Sequence, residues 1–568
     1  MKRWPVWVVL ALAVYHLLLT TSLVVNYGLR HPFLDQFRLY ERYLSLGMWE
    51  GVLALENGHR PVLPGLVRWL DLFWLDGQGL LLTLTAWTAA ALALALLLRE
   101  VWRELDTPLA AAASVALAVT LLWGAHARMF IHAYEAQHLW YILLAVVVGS
   151  SAVIGAGSST WRWGLGVVCC VAATFSFGPG LASFAALFAL AVLQRAGWRV
   201  AGGVVLSALG CAVVYLWLLP GANGVRGQSQ GLDLPWAVHY VVARWGAWWL
   251  EFLPPTSSLG WPERRWLAFA LGLMGVGAVV VSAVRQWWRR ERMGPLALHG
   301  LALVVFAATA NALIATNRVG YFHEHPGQLF AERYLFWTAL LWAGVVMYGL
   351  ARLSVVGPVR AQAPVLAATL LIGLLAVQPA LRWRAWSAEV YRRVEVSALA
   401  NLMDVRAHEV FAEITDGPVD NAWRCSRLMR AQGVDVFAFE AMPVSLVLPS
   451  YAALPALPVT WREVVSPGGS VWSVQSLLPP ELAQEAGERH WLVDASGRVV
   501  GAAGFTFHAA SAAKPWRLQR PVMNGLQGFV RTDVPEALWL VAEREGQNHV
   551  LARLTGDIKV STKQRPHS

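Results

Sequence analysis

The sequence predicts a mainly α-helical, polytopic membrane protein of about eleven transmembrane helices, followed by a β-rich C-terminal domain. Two observations carry this. Of the 568 residues, 57% are hydrophobic and only 14% are charged, with a mean hydropathy of +0.48. Soluble domains carry roughly 25% charged residues, so much of this chain must lie in lipid. Apolar runs of about 20 residues, the length that crosses a bilayer, also recur as far as residue 381 and then stop. The expected division is therefore 1–381 in the membrane and 382–568 outside it.

Spans are predicted at 5–25, 77–98, 108–124, 139–157, 161–176, 181–195, 200–220, 266–285, 297–316, 335–352 and 364–381. The pair within 161–195 is joined by FSFGPG, which could instead kink a single long helix. Lys2-Arg3 precedes a long apolar stretch with no small-x-small cleavage site, which predicts an uncleaved anchor.

The connecting loops alternate in character. One set is short and basic, including Arg99 with Arg103, Arg195 with Arg199, and RQWWRRER at 285–292. The other set, 26–76, 125–138, 221–265 and 317–334, is longer and rich in His, Glu, Tyr and Pro. Short basic loops stay in the cytoplasm. This places the N-terminus inside, and the polar loops and C-terminal domain outside. The net charge of +10 belongs to those basic loops, so it gives no reason to expect nucleic acid. Cys169, Cys170 and Cys211 lie in apolar runs, Cys425 stands alone, and no C-x-x-C occurs. Neither a disulfide framework nor a zinc site is expected.

Beyond Arg382, residues 386–416 are helical in composition. HWLVDASGRVVGAAGFTF and ALWLVAEREGQNHVLARL then each read as a hairpin, turning at Asp494–Gly497 and Glu545–Asn548. A β-rich domain over about 420–560, of sandwich type, is expected. The tail STKQRPHS is expected to be disordered.

The first outer loop is densest in chemistry. Phe33, Phe37, Tyr40 and Leu44 follow helical spacing and form one apolar stripe, with Pro32 suited to the first turn. Asp35, Arg38 and Arg42 fall on the opposite face. Such a helix would lie flat on the outer leaflet with a carboxylate turned from lipid; an ordinary solvated Asp–Arg pair would read the same. In the second outer loop, His132, Glu135 and His138 are spaced i, i+3, i+6. That spacing can hold a metal, but it more often forms a hydrogen-bonded rim of a polar cavity, so no metal is assigned. The fourth polar loop carries Glu324 in YFHEHP and the pair Arg333-Tyr334. The Gly-rich GANGVRGQSQGLDLP at 221–235 reads either as a lid or as a connector. Nucleotide-binding, zincin and serine-hydrolase motifs are absent.

These features together resemble the C-type glycosyltransferase (GT-C) superfamily. Within it the chain is similar to bacterial membrane proteins with an "EHR-P" first-loop motif, matched here by Glu56-Asn57-Gly58-His59-Arg60-Pro61. Phe175 to Gly180 matches their aromatic F-S-F-x-x-G turn, and Arg333-Tyr334 their late Arg-Tyr pair. Two departures stand out: Glu-His-Arg is broken to Gly-His-Arg, and the first loop lacks Asp-x-Asp. The resemblance implies an inverting transfer from a polyprenyl-phosphate-linked sugar to a glycan, lipid or protein acceptor at the periplasmic face of the bacterial inner membrane. No cofactor is implied. The first-loop acid, here Asp35, would be the base. Arg60 and Arg333 would face the lipid phosphate with His59 as a donor, and Glu56, His132, Glu135, His138, Glu324 and Tyr334 would line the substrate. Other readings are a lipid or glycan flippase, an oligosaccharide-transferring ligase and a non-catalytic envelope-assembly scaffold. A flippase would show charges inside spans and an inverted repeat, and neither is evident.

Overall fold

The computed structural model describes residues 4–219, 233–253, 257–356, 362–415, 417–438, 445–446, 455–464, 466, 471–479, 489–506, 525–531, 538–544, 547–556 and 558–559. It is mainly helical, with a β-rich C-terminal part, as the composition predicts. The Gly-rich segment 220–232, residues 545–546 of the second hairpin turn and the tail STKQRPHS lie outside the described residues.

Among the described residues, nine helices are long and apolar enough to cross a membrane: Val6–Tyr27, Leu80–Glu104, Thr107–Ile131, Ala133–Val153, Trp198–Trp217, Trp261–Trp288, Pro295–Thr316, Glu332–Val355 and Gln362–Leu402. The remaining two expected spans are present as shorter helices. Thr160–Thr174 has 15 residues, and a 3-10 turn at Gly178–Ala182 leads into Ser183–Leu193. FSFGPG thus separates two helices, because Pro179 has no N–H to continue a helical ladder. Local signals fix helix starts elsewhere. Asp106 accepts a hydrogen bond from the Leu109 N–H at 3.3 Å, with Pro108 in the first turn.

The chain forms two compact units. The first comprises Met1–Val25, Met48–Trp69 and Leu81–Arg384. The second comprises Asn26–Gly47, Leu70–Leu80 and Ala385–Ser568. The sequence predicts a single division after residue 381, with the whole first loop in the membrane part. The structure instead assigns two pieces of that loop to the C-terminal unit.

Within the second unit, the helix Gln36–Ser45 packs on the helix Val419–Gln432. Its apolar stripe is buried there: Phe33, Phe37, Tyr40 and Leu44 are all at most 7% exposed. The expectation of a helix lying flat on lipid is therefore corrected. An apolar stripe of this width suits a protein groove as well as a leaflet, and only tertiary packing chooses between them.

The C-terminal strands are β1 Ala456–Pro458, β2 Thr460–Val464, β3 Val471–Leu477, β4 Arg489–Val493, β5 Val499–Thr506, β6 Gly525–Arg531, β7 Leu538–Arg544, β8 Gln547–Thr555 and β9 Ile558–Lys559. They form one sheet in the order β1-β8-β7-β4-β5-β6-β3-β2-β9. Only Val459 separates β1 from β2, and its N–H donates to the Thr555 carbonyl at 2.7 Å. The sheet therefore curls until its two ends meet, and the expected sandwich is replaced by a single closed sheet. Trp461, Val474, Leu492, Val530 and Leu540 fill its core. The predicted β4–β5 hairpin turn is present. Gly497 takes φ 84°, and the Asp494 carboxylate accepts from the N–H groups of Ser496 and Arg498.

Candidate functional site

The first unit gathers three polar clusters from loops far apart in sequence. The first begins with a tight turn. Asn57 and Gly58 both take positive φ, 48° and 76°, as a two-residue type I′ turn requires. Glu56 and His59 consequently exchange backbone hydrogen bonds of 2.8 and 2.7 Å. The Asn-Gly that breaks the Glu-His-Arg pattern therefore still places glutamate and histidine side by side.

Glu56 is 5% exposed, and its carboxylate accepts from Arg68 Nη1 at 2.8 Å and from the Tyr134 hydroxyl. Arg68, fully buried, also reaches the Tyr134 carbonyl at 2.9 Å and His138 Nε2 at 2.7 Å. A guanidinium only donates, so His138 accepts at Nε2 and carries its proton on Nδ1. Phe177 packs against two imidazoles, with its centroid 4.2 Å from His59 and 4.4 Å from His138. A Cβ on the following residue, Gly178, would stand 2.5 Å from His59 Nδ1, so glycine is what lets His59 come this close. Burial, aided by the charge of Arg318, pushes the His59 imidazole down to about 4.

Arg60 is also fully buried, but three of its nitrogens are given to main-chain carbonyls. Nε donates to Tyr215, Nη1 to Leu53 and Nη2 to Leu219, at 3.0–3.2 Å. It ties the end of the Trp198–Trp217 span to the first loop.

The second cluster joins the second and fourth polar loops. Arg128 grips Glu135 through two nitrogens and reaches Glu332 Oε1 at 3.1 Å. His132 Nδ1 lies 3.6 Å from Glu135 Oε1. Glu135 is thus engaged by a cation, and among the described residues no group of three His, Cys, Asp or Glu side chains is arranged to hold a metal.

The third cluster surrounds Tyr334, directly after Glu332 and Arg333. The guanidinium carbons of Arg244, Arg333 and Arg318 lie 4.6, 5.1 and 5.8 Å from its ring centroid. Arg244 is held by Asn311 Oδ1 at 2.8 Å and by the Leu329 carbonyl, and Arg333 by Gln328 Oε1 at 2.9 Å. Among the described residues none of the three arginines forms an ion pair. The Tyr334 hydroxyl and the Nε atoms of Arg244 and Arg333 are buried with no hydrogen-bond partner. Three cations beside orphaned donors have the chemistry to receive an anion.

Glu324 ends the short helix Val319–Glu324 and is exposed. Asp35 belongs to the second unit. It sits at the start of the Gln36–Ser45 helix and pairs with Arg38 one turn on. The structure therefore brings Glu56 and His59 together with His138, His132 with Glu135, and Arg333 with Tyr334. Arg68, Arg128, Arg244 and Arg318 were not singled out from sequence. For Arg244, within HYVVARWGAWW, an arginine inside an apolar run was the available signal.

No family model matches the chain, and no relative was found among curated proteins. The solved structures similar to it include two of archaeal oligosaccharyltransferases. One is the archaeal oligosaccharyltransferase AglB from Archaeoglobus fulgidus in complex with an inhibitory peptide and a dolichol-phosphate. It has 13% identity and a TM-score of 0.37, over 80% of this chain and 62% of that one. The other is the Archaeoglobus fulgidus oligosaccharyltransferase in the apo form, with 12% identity and a TM-score of 0.39, over 81% of this chain and 62% of that one. The chain thus spans less than two thirds of the length of the structures it matches.

Proposed function

We propose that this chain is an inverting GT-C-type glycosyltransferase that moves a hexosyl or pentosyl unit from a polyprenyl-phosphate carrier to an acceptor. The acceptor is a cell-envelope glycan, lipopolysaccharide or protein at the periplasmic face of a bacterial inner membrane. The observation that carries this reading is the arginine cluster at Tyr334. It offers fixed positive charge and unpartnered donors, and among the described residues none of its three arginines is paired with a carboxylate.

The chemistry follows from that charge. The acceptor hydroxyl oxygen attacks the anomeric carbon, and the bond from that carbon to the phosphate oxygen breaks. The electron pair leaves on the lipid phosphate, where Arg244, Arg318, Arg333 and the Tyr334 hydroxyl stabilise it. The phosphate role expected of Arg60 passes to Arg318 and Arg244, because Arg60 is occupied with carbonyls. His59, neutral near pH 7, serves as a hydrogen-bond donor. Glu56, His132, Glu135 and His138 form the polar wall beside the sugar. Asp35 is the base on this reading, taking the acceptor proton as the new bond forms. Arg38 beside it keeps a positive charge against its carboxylate.

The test is donor binding and sugar transfer by purified protein in nanodiscs. Arg318→Ala and Arg333→Ala should each weaken both by about tenfold or more, because the phosphate is bound in ground and transition states alike. A double variant that binds polyprenyl-phosphate sugar like the wild type would remove the proposal.

A further inference from the structure

We propose a second ligand site, for the headgroup of an anionic glycerophospholipid, at the opposite membrane boundary from the arginine cluster. It is a cavity of about 580 Å³ between the C-terminal ends of the helices Trp261–Trp288 and Glu332–Val356. Arg333 opens the second of these helices and Arg352 lies near its end. The 19 residue-to-residue steps between them rise about 29 Å, close to the roughly 30 Å of a bilayer's hydrocarbon core. The cavity is therefore separate from the site already described, and it lies wholly within the first unit.

Its lining has the layout of a phospholipid. Arg285, Arg289 and Arg352 face one carboxylate, Glu291, an excess of two positive charges. Arg352 Nη1 lies 3.4 Å from Glu291 Oε2, which leaves Arg285 and Arg289 without an ion pair among the described residues. Gln286 is 4% exposed, and its carbonyl oxygen accepts from the Tyr348 hydroxyl at 3.4 Å, leaving its amide nitrogen to donate. On the side toward the membrane interior the wall turns apolar. Val281 is 69% exposed there, and about two turns further along the helix Trp288, 76% exposed, marks the interface. A free anion has no use for the apolar wall, and a neutral lipid none for the surplus charge. A lipid with a phosphate-centred negative head and acyl chains satisfies both.

The experiment uses the full chain, purified in detergent and titrated with phosphatidylglycerol or phosphatidylcholine. Bound lipid is read by native mass spectrometry, and thermal stabilisation in parallel. The wild type should retain phosphatidylglycerol over phosphatidylcholine by about tenfold or more. The double variant Arg285→Gln/Arg289→Gln, which changes two exposed side chains, should lose that preference. Arg99→Gln/Arg103→Gln removes two exposed arginines outside the cavity and should keep it. Equal loss in both double variants would mean diffuse charge attraction, and unchanged retention in the first would mean no site. Inorganic phosphate reproducing the full thermal shift would mean a free-anion site. Each of these results overturns the proposal, and none depends on sugar transfer.

Discussion

His31 and Asp435 stand 404 residues apart, and the imidazole Nδ1 donates to Asp435 Oδ1 at 2.7 Å. The pair ties the segment before the Asp35 helix to the residues just after the helix Val419–Gln432. Glu395 lies 4.0 Å from the other imidazole nitrogen. Burial alone would lower this histidine and Arg30 opposes its charge, but the two carboxylates outweigh both and hold it up to about 9.

A pH dependence of stability follows from that pair. The folded state keeps the proton on His31 up to about 9, whereas the unfolded chain releases it near 6.5. The stabilisation is therefore complete below about pH 6.5 and lost as pH rises through 9, with an upper bound of roughly 3 kcal/mol. Thermal melts at about pH 6 and about pH 9.5 should show the wild type losing more stability than His31→Gln. Parallel curves for the two proteins would sink the assignment.

The buried pair of Glu56 and Arg68 should be costly to break from one side. Arg68→Met leaves a buried carboxylate without its cation and should destabilise by about 3–5 kcal/mol. Adding Glu56→Gln should restore part of that loss, because the remaining group is neutral. Chemical denaturation of the single and double variants gives the coupling. Strictly additive losses would mean the two side chains do not act as a pair.

Asp35→Asn keeps size but removes the charge of the carboxylate. If Asp35 is the base, the variant should insert and bind donor normally yet transfer sugar at least about 10²-fold more slowly. Glu41→Gln is the control, since Glu41 lies on the helix that follows Asp35 and pairs at 2.9 Å with Arg424 of the helix Val419–Gln432. Near-normal turnover by Asp35→Asn would move the search for a base to Glu56, which lies in the same unit as the arginine cluster.

Topology offers a direct check on which loops share a side. A reporter fused at Arg289 should be cytoplasmic, and one fused at Ala495 periplasmic. Finding both on one side would remove the separation between polar and basic loops on which the proposed chemistry rests.

Much of the architecture was legible because lipid imposes a coarse rule on sequence. A chain crossing a bilayer must present long apolar runs, so the helices appear where the runs are, including the two short ones around FSFGPG. The β4–β5 turn was legible from Asp494 to Gly497 because its residues carry their own local hydrogen bonds. The pairing of Glu56 with His59 was less so, since it needs the Asn57-Gly58 turn to be recognised as a turn within a motif that it interrupts.

Sequence alone determined the membrane class, the approximate spans, the β-rich end and the loops that hold the polar chemistry. All of these depend on composition or on spacing within a few turns of one element. Tertiary structure alone decided the rest. It buried the Phe33–Leu44 stripe against the helix Val419–Gln432, closed the sheet instead of stacking two, and occupied Arg60 with carbonyls. It also drew Arg244 and Arg318 to Arg333 and Tyr334 from separate elements. The physical reason is that an apolar stripe or a lone arginine states only what it must avoid, bare water or bare lipid. Which partner satisfies it depends on contacts between residues tens to hundreds of positions apart.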